Sequence, residues 1–185
     1  MHIEIEAKLK VDSLAKVARR LKSLRAELLR SSVHTDTYFD DSGNNFRKSD
    51  SALRLRRMRI GRKEKAALTF KGPRRRGCFK QRQEIQFDVS NADYAELFLA
   101  ALGYKKSIVF QKRRRLWRLD GCEVALDELP LLGTFVEIEG PDEKRIAAVQ
   151  KKLGLSDLPH EPESYAVLMQ KRISQLRITK KEIFF

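Results

Sequence analysis

The sequence predicts an α+β fold for a single domain over residues 1–185, in which eight antiparallel β-strands close into a barrel with helices packed outside. Strand-like segments alternate apolar and charged residues, as in "HIEIEAKLKV" (2–11). Most of these segments are joined by short turns, which antiparallel pairs allow and parallel pairs do not. Helical patterns occur at only three or four points, and eight strands are enough to close a sheet and remove its edges.

The N-terminal half begins with a strand over 3–11, in which the odd positions are apolar and positions 4, 6 and 8 are charged. Asp12 or Ser13 then caps a helix predicted over 13–29, where leucines recur at helical spacing. Turn-forming residues over 43–51 and the basic stretches at 62–65 and 73–77 predict loops. The predicted strands of this half lie at 34–41, 52–60, 66–72 and 82–89.

The C-terminal half opens with a helix over 91–102 that ends at Gly103. Strands over 107–119 and 122–128 follow, and the Asp120-Gly121 pair between them is typical of a tight hairpin turn. A strand over 134–139 and helices over 141–153 and 162–176 complete the prediction. The tail, 177–185, receives no assignment.

Composition narrows the class of protein. The sequence has no apolar run long enough to span a bilayer, and its start lacks the order of a signal peptide, so a cytoplasmic protein is expected. Cys78 and Cys122 have neither zinc-site nor disulfide-framework spacing. The net charge of +14 predicts an anionic partner, which could be nucleic acid, an anionic membrane or a phosphorylated small molecule.

The charged strand faces narrow the choice of partner. If the helices cover the apolar faces from outside, the charged faces point into the barrel, where charges must be paired or bound to a ligand. The two E-x-E pairs, at 4–6 and 137–139, offer hard oxygens that suit Mg²⁺ or Mn²⁺. The inward arginines and lysines suit phosphate oxygens. Together they indicate metal-assisted phosphoryl chemistry.

These segments carry a specific resemblance. "EIEAK" (4–8) resembles the E-x-E-x-K signature of the CYTH superfamily, also called triphosphate tunnel metalloenzymes. The signature is followed in order by "DTYFD", "ALRLR", "LTFKGP", "RQE", "LGY", "QKRRRLW", "ALDELPLLGTFVEIE" and "PESYAVL". The resemblance covers residues 3 to about 169. It implies an eight-stranded tunnel that binds a triphosphate and a divalent metal.

The resemblance also implies roles for individual residues. The alternative for each residue is that it only forms an ion pair in the tunnel lining. The implied metal ligands are Glu4, Glu6, Glu137 and Glu139, with Glu84 and Asp127 as further candidates. The implied phosphate ligands are Lys8, Arg54, Arg56, Lys71, Arg82, Lys112 and Arg114. Lys8 and Tyr38 are the candidate catalytic residues, which would position or deprotonate an attacking water.

The family contains both hydrolases and class IV adenylyl cyclases, so the resemblance leaves the reaction open. No motif that reads adenine is evident, which favours a Mg²⁺- or Mn²⁺-dependent phosphohydrolase of tripolyphosphate, nucleotide or thiamine triphosphate over a cyclase. A non-catalytic module that binds polyphosphate or nucleic acid is a third reading. Four carboxylates would repel nucleic acid in the absence of metal, so a triphosphate-bearing small molecule is the expected partner. The chain is expected to act as a monomer or a homodimer.

Overall fold

The computed structural model describes residues 2–75 and 79–185, and within them the chain forms nine strands and five helices. Part of the basic stretch at 73–77, and Cys78, lie outside the described residues. The strands are β1 (His2–Lys10), β2 (Glu27–Asp40), β3 (Ala52–Ile60), β4 (Lys63–Lys71), β5 (Lys80–Val89), β6 (Lys105–Leu119), β7 (Cys122–Leu129), β8 (Gly133–Glu139) and β9 (Glu182–Ile183). The helices are α1 (Leu14–Ser23), α2 (Asn45–Lys48), α3 (Ala92–Ala101), α4 (Glu143–Lys152) and α5 (Tyr165–Gln175).

Eight strands close into an antiparallel barrel, which confirms the predicted α+β fold. Their order is β2-β3-β4-β5-β1-β8-β7-β6, and the pairing of β6 with β2 closes the sheet. That pairing runs from Glu27 opposite Arg118 to Asp40 opposite Lys105. The two-residue β9 adds to β6 in parallel beside Val109, which gives the unassigned tail a place.

The first helix is shorter than the sequence predicts. It ends at Ser23, and Arg25 then takes a left-handed conformation with φ of 57°. The amide of Ala26 donates to the carbonyl of Leu21, which closes the helix end. β2 therefore begins at Glu27 instead of residue 34, because pairing with the long β6 outweighs the helical pattern of 24–29.

The helices cover three parts of the barrel. Helices α1 and α4 pack on the outer faces of β1, β7 and β8, around the fully buried Leu21, Ile146 and Val136. Helix α3 packs over Leu55 of β3. Helix α5 lies across one end of the barrel. No helix in the described residues is long and apolar enough to cross a membrane.

The contacts of α5 extend into the barrel interior. Its Tyr165 and Met169 pack against Phe110 and Phe135, which share strand faces with the inward charged residues of β6 and β8. The charged lining thus gives way to an apolar layer at this end of the barrel.

Candidate active site

The interior of the barrel holds a cavity of about 1450 Å³. Its lining comes from all eight barrel strands and from α5 along its whole length. It includes every predicted site residue except Asp127: Glu4, Glu6, Lys8, Tyr38, Arg54, Arg56, Lys71, Arg82, Glu84, Lys112, Arg114, Glu137 and Glu139. The alternation of the strands therefore placed these side chains on the correct face.

One wall of the cavity carries carboxylates in facing positions on three neighbouring strands. Glu6 of β1 lies opposite Glu139 of β8, and Glu139 lies opposite Glu123 of β7. Like charges in directly facing positions repel one another. Burial, together with the carboxylates of Glu4, Glu6 and Glu123, raises the pKa of Glu139 to about 7. We call Glu4, Glu6, Glu123 and Glu139 the carboxylate wall.

Lysines bind two members of this wall. Lys71 donates to Glu4 at 3.0 Å and also contacts Glu84, while Lys80 forms an ion pair with Glu6. Burial of Glu4 would raise its pKa, but the charge of Lys71 outweighs this and lowers it. Burial lowers the pKa of Lys71 to about 8, with Arg54 contributing in the same direction. These lysines neutralise carboxylates that would otherwise repel one another.

Glu137, the neighbour of the carboxylate wall, faces a group of cations. Its carboxylate forms ion pairs with Arg114 and, at 3.5 Å, with Lys8. Burial of Glu137 would raise its pKa, but Arg114, Lys112 and Lys8 hold it well below its ordinary value. Glu137 is therefore anionic at neutral pH and helps to hold these three cations inside the barrel.

Lys8 lies at the boundary between the charged lining and α5. Its Nζ donates to the backbone carbonyl of Glu163 at 2.8 Å and lies 4.3 Å from the ring centroid of Tyr165. Burial and the nearby Lys80 lower its pKa. The hydroxyl of Tyr165 has no hydrogen-bond partner among the described residues, although the side chain lines the cavity.

Two predicted arginines have firm protein partners. Arg56 makes a two-point interaction with Asp36 at 2.6 and 2.8 Å. Arg82 donates to the backbone carbonyls of Asp50 and Gly72, and to the carboxylate of Asp50 at 2.8 Å. Arg82 therefore ties the loop before β3 to the barrel as well as lining the cavity.

Arg54 also leaves a donor group unpaired. It donates to Thr69 at 3.2 Å, and its Nε, like that of Arg82, has no hydrogen-bond partner among the described residues. A phosphate oxygen in the cavity could accept from that group.

The structure separates Asp127 from the cavity. This side chain is fully buried and accepts bonds from Arg114 at 2.7 and 2.5 Å and from Lys112 at 3.2 Å. Burial and the adjacent Arg114 lower the pKa of Lys112 to about 8. The placement of Asp127 matches the ion-pair reading of this residue.

Tyr38 lines the cavity and stacks on Phe110, with ring centroids 5.8 Å apart. Its burial raises the pKa of its hydroxyl, which therefore stays protonated at neutral pH. The hydroxyl is thus suited to donating a hydrogen bond and unsuited to removing a proton from water.

Sequence reasoning missed four residues of the site: Asp36, Lys80, Glu123 and Tyr165. The first three lie on inward strand positions in step with Tyr38, Arg82 and Asp127, so the alternation could have identified them. Tyr165 lies on a helix, and no strand pattern points to it.

No three acidic, histidine or cysteine side chains within residues 2–75 and 79–185 form a preformed metal centre. The carboxylate wall nevertheless fits a divalent cation in its chemistry. Its oxygens are hard donors on adjacent strands, and their mutual repulsion, visible in the raised pKa of Glu139, would be relieved by a bound cation. A cation there would displace the lysines that now bind Glu4 and Glu6.

Comparisons with known proteins agree with this architecture. The family model described as the CYTH domain matches residues 2–165. A protein of Methanocaldococcus jannaschii with a provisional adenylate cyclase name is 29% identical over 150 residues, which cover 81% of each chain. The adenylate cyclase CyaB of Aeromonas hydrophila is 25% identical over 181 residues, which cover 92% of this chain and 91% of that one.

The solved structures give the same result. The PH1819 protein of Pyrococcus horikoshii OT3 superposes with a TM-score of 0.79 and 28% identity, over 91% of this chain and 99% of that one. The family match covers most of the chain, and the residues it spans build the charged barrel described above. This protein therefore belongs to the CYTH family.

Proposed function

We propose that this protein is a divalent-metal-dependent enzyme that hydrolyses a triphosphate inside the barrel. The observation that carries the proposal is the composition of one cavity, which places a carboxylate wall beside a group of buried lysines and arginines. A cavity lined only by carboxylates would repel a triphosphate. A cavity lined only by lysines and arginines could bind the triphosphate without a metal ion.

Mg²⁺ or Mn²⁺ would be held by Glu4, Glu6 and Glu139, with Glu137 and Glu123 alongside. When bound, the cation would draw charge from the phosphate oxygens and so favour attack at phosphorus. Glu84, bonded to Lys71, lies at the edge of this group. Asp127 is left out of the proposed metal site, because both its oxygens already accept bonds from buried cations.

The phosphate chain would lie against Lys8, Arg54, Lys71, Lys112 and Arg114, with Arg56 and Arg82 contributing charge. Burial lowers the pKa of Lys71 and of Lys112 to about 8, although each lysine already forms an ion pair with a carboxylate. A phosphate oxygen beside each would favour the protonated lysine. The same cations would stabilise the charge that develops on the phosphoryl group during transfer.

The two candidate catalytic residues take different parts in this proposal. Tyr38, whose hydroxyl stays protonated, would orient a water or a phosphate oxygen by donating a hydrogen bond. Lys8 is fixed by the carbonyl of Glu163 and by the ring of Tyr165, and burial lowers its pKa. We assign Lys8 the role of positioning the attacking water.

The second candidate function is cyclisation of ATP to cyclic AMP and pyrophosphate. The adenylate cyclase names of the M. jannaschii and A. hydrophila relatives favour it. Cyclisation needs the nucleoside fixed so that its 3′-hydroxyl attacks the α-phosphorus, whereas hydrolysis needs only the triphosphate and a water. The charged cavity explains recognition of the phosphates, and the sequence contains no evident adenine-reading motif.

The test is a product analysis with tripolyphosphate, ATP or thiamine triphosphate, each with Mg²⁺ or Mn²⁺. We expect orthophosphate from the wild type and its loss in Glu4→Gln, whereas Glu27→Gln, at an exposed glutamate on β2, should retain activity. Cyclic AMP and pyrophosphate in equal amounts would favour the cyclase. Tight binding of tripolyphosphate without turnover under any of these conditions would favour a binding module.

A further inference from the structure

The helices leave part of the outer wall of the barrel open, where β3, β2 and β6 lie side by side. A groove of about 410 Å³ crosses this part of the wall. Most of its lining residues lie at outward strand positions, because Arg113 and Arg115 alternate along β6 with Arg114, whose side chain contacts Glu137 in the cavity. We call this depression the outer groove.

Three arginines reach the outer groove from neighbouring strands. Arg59 of β3 and Arg113 of β6 both lie directly opposite Val33 of β2, one on each side of it. Neighbouring strands are about 4.8 Å apart, so the Cα atoms of these two arginines are separated by roughly 10 Å. Arg115 lies two residues along the same face of β6, roughly 7 Å from Arg113. An extended arginine side chain spans more than half of either separation, so the three guanidiniums can contact a single anion.

These arginines are incompletely paired with acidic residues. Arg113 lies 3.5 Å from the carboxylate of Glu128, and both side chains of this ion pair are exposed to solvent. In the described part of the chain, Arg59 and Arg115 form no ion pair and no side-chain hydrogen bond. Arg115 is nevertheless half-buried. A cation that has lost part of its hydration and has no anionic partner favours the binding of an anion.

The outer groove differs from the cavity inside the barrel in having no carboxylate wall. Glu128 is the only acidic residue that lines it within residues 2–75 and 79–185, and its carboxylate already faces Arg113. A single carboxylate that is already paired is a poor ligand for a divalent cation. An anion should therefore bind in the outer groove without a metal ion.

Apolar side chains line the outer groove beside the arginines. They come from three different elements: Leu14 of α1, Val33 of β2 and Leu126 of β7. The volume of about 410 Å³ lies within the roughly 300–1,000 Å³ of sites that hold small organic ligands. Arginine binds phosphate oxygens through two parallel hydrogen bonds. This combination fits a phosphate monoester whose organic part is apolar or aromatic.

The row of free cations ends on both sides of the outer groove. On β3 the preceding outward residue, Arg57, is held by Asp93 and Glu96 of α3. On β6 the next outward residues on either side are Gln111 and the buried Trp117. A nucleic-acid strand would need cations along a track of successive phosphates. The outer groove therefore matches one phosphate group and not a polymer.

We infer that the outer groove binds a small phosphate monoester of nucleotide size, whose phosphate is held by the three arginines. The organic part of this ligand packs on the apolar side chains of the groove. Binding needs no divalent metal, and the inference does not depend on the proposed reaction. Arg114 faces the opposite way and contacts Glu137, so one stretch of β6 serves both the groove and the cavity.

The experiment is a calorimetric titration of the full chain with AMP in the presence of EDTA, which removes divalent metals. The wild type should bind one AMP per chain, and orthophosphate should bind about tenfold more weakly because it cannot contact the apolar side chains. Arg59→Gln and Arg115→Gln should each weaken AMP binding roughly tenfold or more, because hydrogen bonds between charged groups are lost. Arg19→Gln is the matched control, because Arg19 is exposed on α1 outside the groove and this variant should bind AMP like the wild type.

The substituted arginines are exposed or half-buried, so the variants should keep the melting temperature of the wild type. No detectable binding at millimolar AMP would overturn the inference, as would binding that Arg59→Gln and Arg115→Gln both leave unchanged. Binding that requires added Mg²⁺, or that is lost in Lys71→Met, would also overturn it, because AMP would then occupy the cavity inside the barrel. A single-stranded oligoadenylate that binds far more tightly than AMP, and is lost in Arg115→Gln, would replace it with a nucleic-acid surface.

Discussion

The buried ion pairs of Asp127 predict a large and specific loss of stability when that carboxylate is neutralised. Asp127 is completely buried and accepts three bonds from Lys112 and Arg114. Asp127→Asn keeps the shape of the side chain but leaves two buried cations with one fewer anion. Removing one partner of a buried ion pair costs about 3–5 kcal/mol, so the free energy of unfolding should fall by about that amount.

Urea unfolding followed by circular dichroism measures this loss of stability. Adding Lys112→Met to Asp127→Asn tests whether the uncompensated charge of Lys112 causes part of the loss. In the double variant Asp127→Asn/Lys112→Met one of the two uncompensated cations is gone, so part of the lost stability should return. The affinity of folded Asp127→Asn for Mn²⁺ should stay near the wild-type value, while that of Glu4→Gln falls. A loss below about 1 kcal/mol, or a double variant no more stable than Asp127→Asn, would refute the ion-pair reasoning.

Three further predictions concern the cavity. Burial and the charges of Glu4 and Glu6 raise the pKa of Glu139 to about 7, so this carboxyl is about nine-tenths protonated at pH 6. Mn²⁺ binding at pH 6 should therefore release about 0.9 more proton from the wild type than from Glu139→Gln, which calorimetry in two buffers measures. Burial lowers the pKa of Lys112 to about 8 from 10.5, so between pH 8 and 10.5 the unfolded state binds more protons than the folded state. The free energy of unfolding should therefore rise over this pH range, and it should rise less steeply in Lys112→Met. Tyr165→Phe should unfold at the same or a higher urea concentration than the wild type, because the hydroxyl has no partner among the described residues, whereas Tyr165→Ala should lose about 3–5 kcal/mol.

The strand alternation predicted the barrel and nearly all of the predicted lining residues. Successive side chains of a strand point to opposite faces of the sheet, so each one faces either the helices outside or the cavity inside. Once helices cover the apolar face, Glu6 and Arg54 can point only into the cavity. The same argument reaches Lys80 and Glu123, which the prediction overlooked. It cannot reach Tyr165, because that residue enters the site from a helix whose position depends on tertiary packing.

Alternation also could not distinguish which inward charges are free for ligand. Asp127 and Glu137 both point inward on neighbouring strands, yet only Glu137 lines the cavity. The difference arises from depth and partners, since Arg114 and Lys112 cover both oxygens of Asp127. Such partner choice depends on distances across the barrel, which strand patterns do not contain.

The net charge of +14 pointed to an anionic partner, and the cavity carries only part of that excess. Its lining includes fifteen lysines and arginines and eleven aspartates and glutamates, a formal excess of four positive charges. Most of the excess positive charge therefore lies outside the cavity, where it can attract anions towards the barrel.

The ion pairs inside the barrel affect how metal and triphosphate would bind. Lys71 and Lys80 are held by Glu4 and Glu6, so neither these two lysines nor these two carboxylates are free for a ligand. A cation bound by the carboxylates would release the lysines, and the released lysines would then bind phosphate. The two ligands should therefore strengthen one another's binding, and by linkage the factor must be the same in both directions. In Lys80→Met, where Glu6 needs no release, metal should bind more tightly in the absence of tripolyphosphate, and the coupling between the two ligands should shrink. A coupling unchanged in Lys80→Met would mean that the ligands meet only through their direct contact, and that the internal ion pairs serve the fold alone.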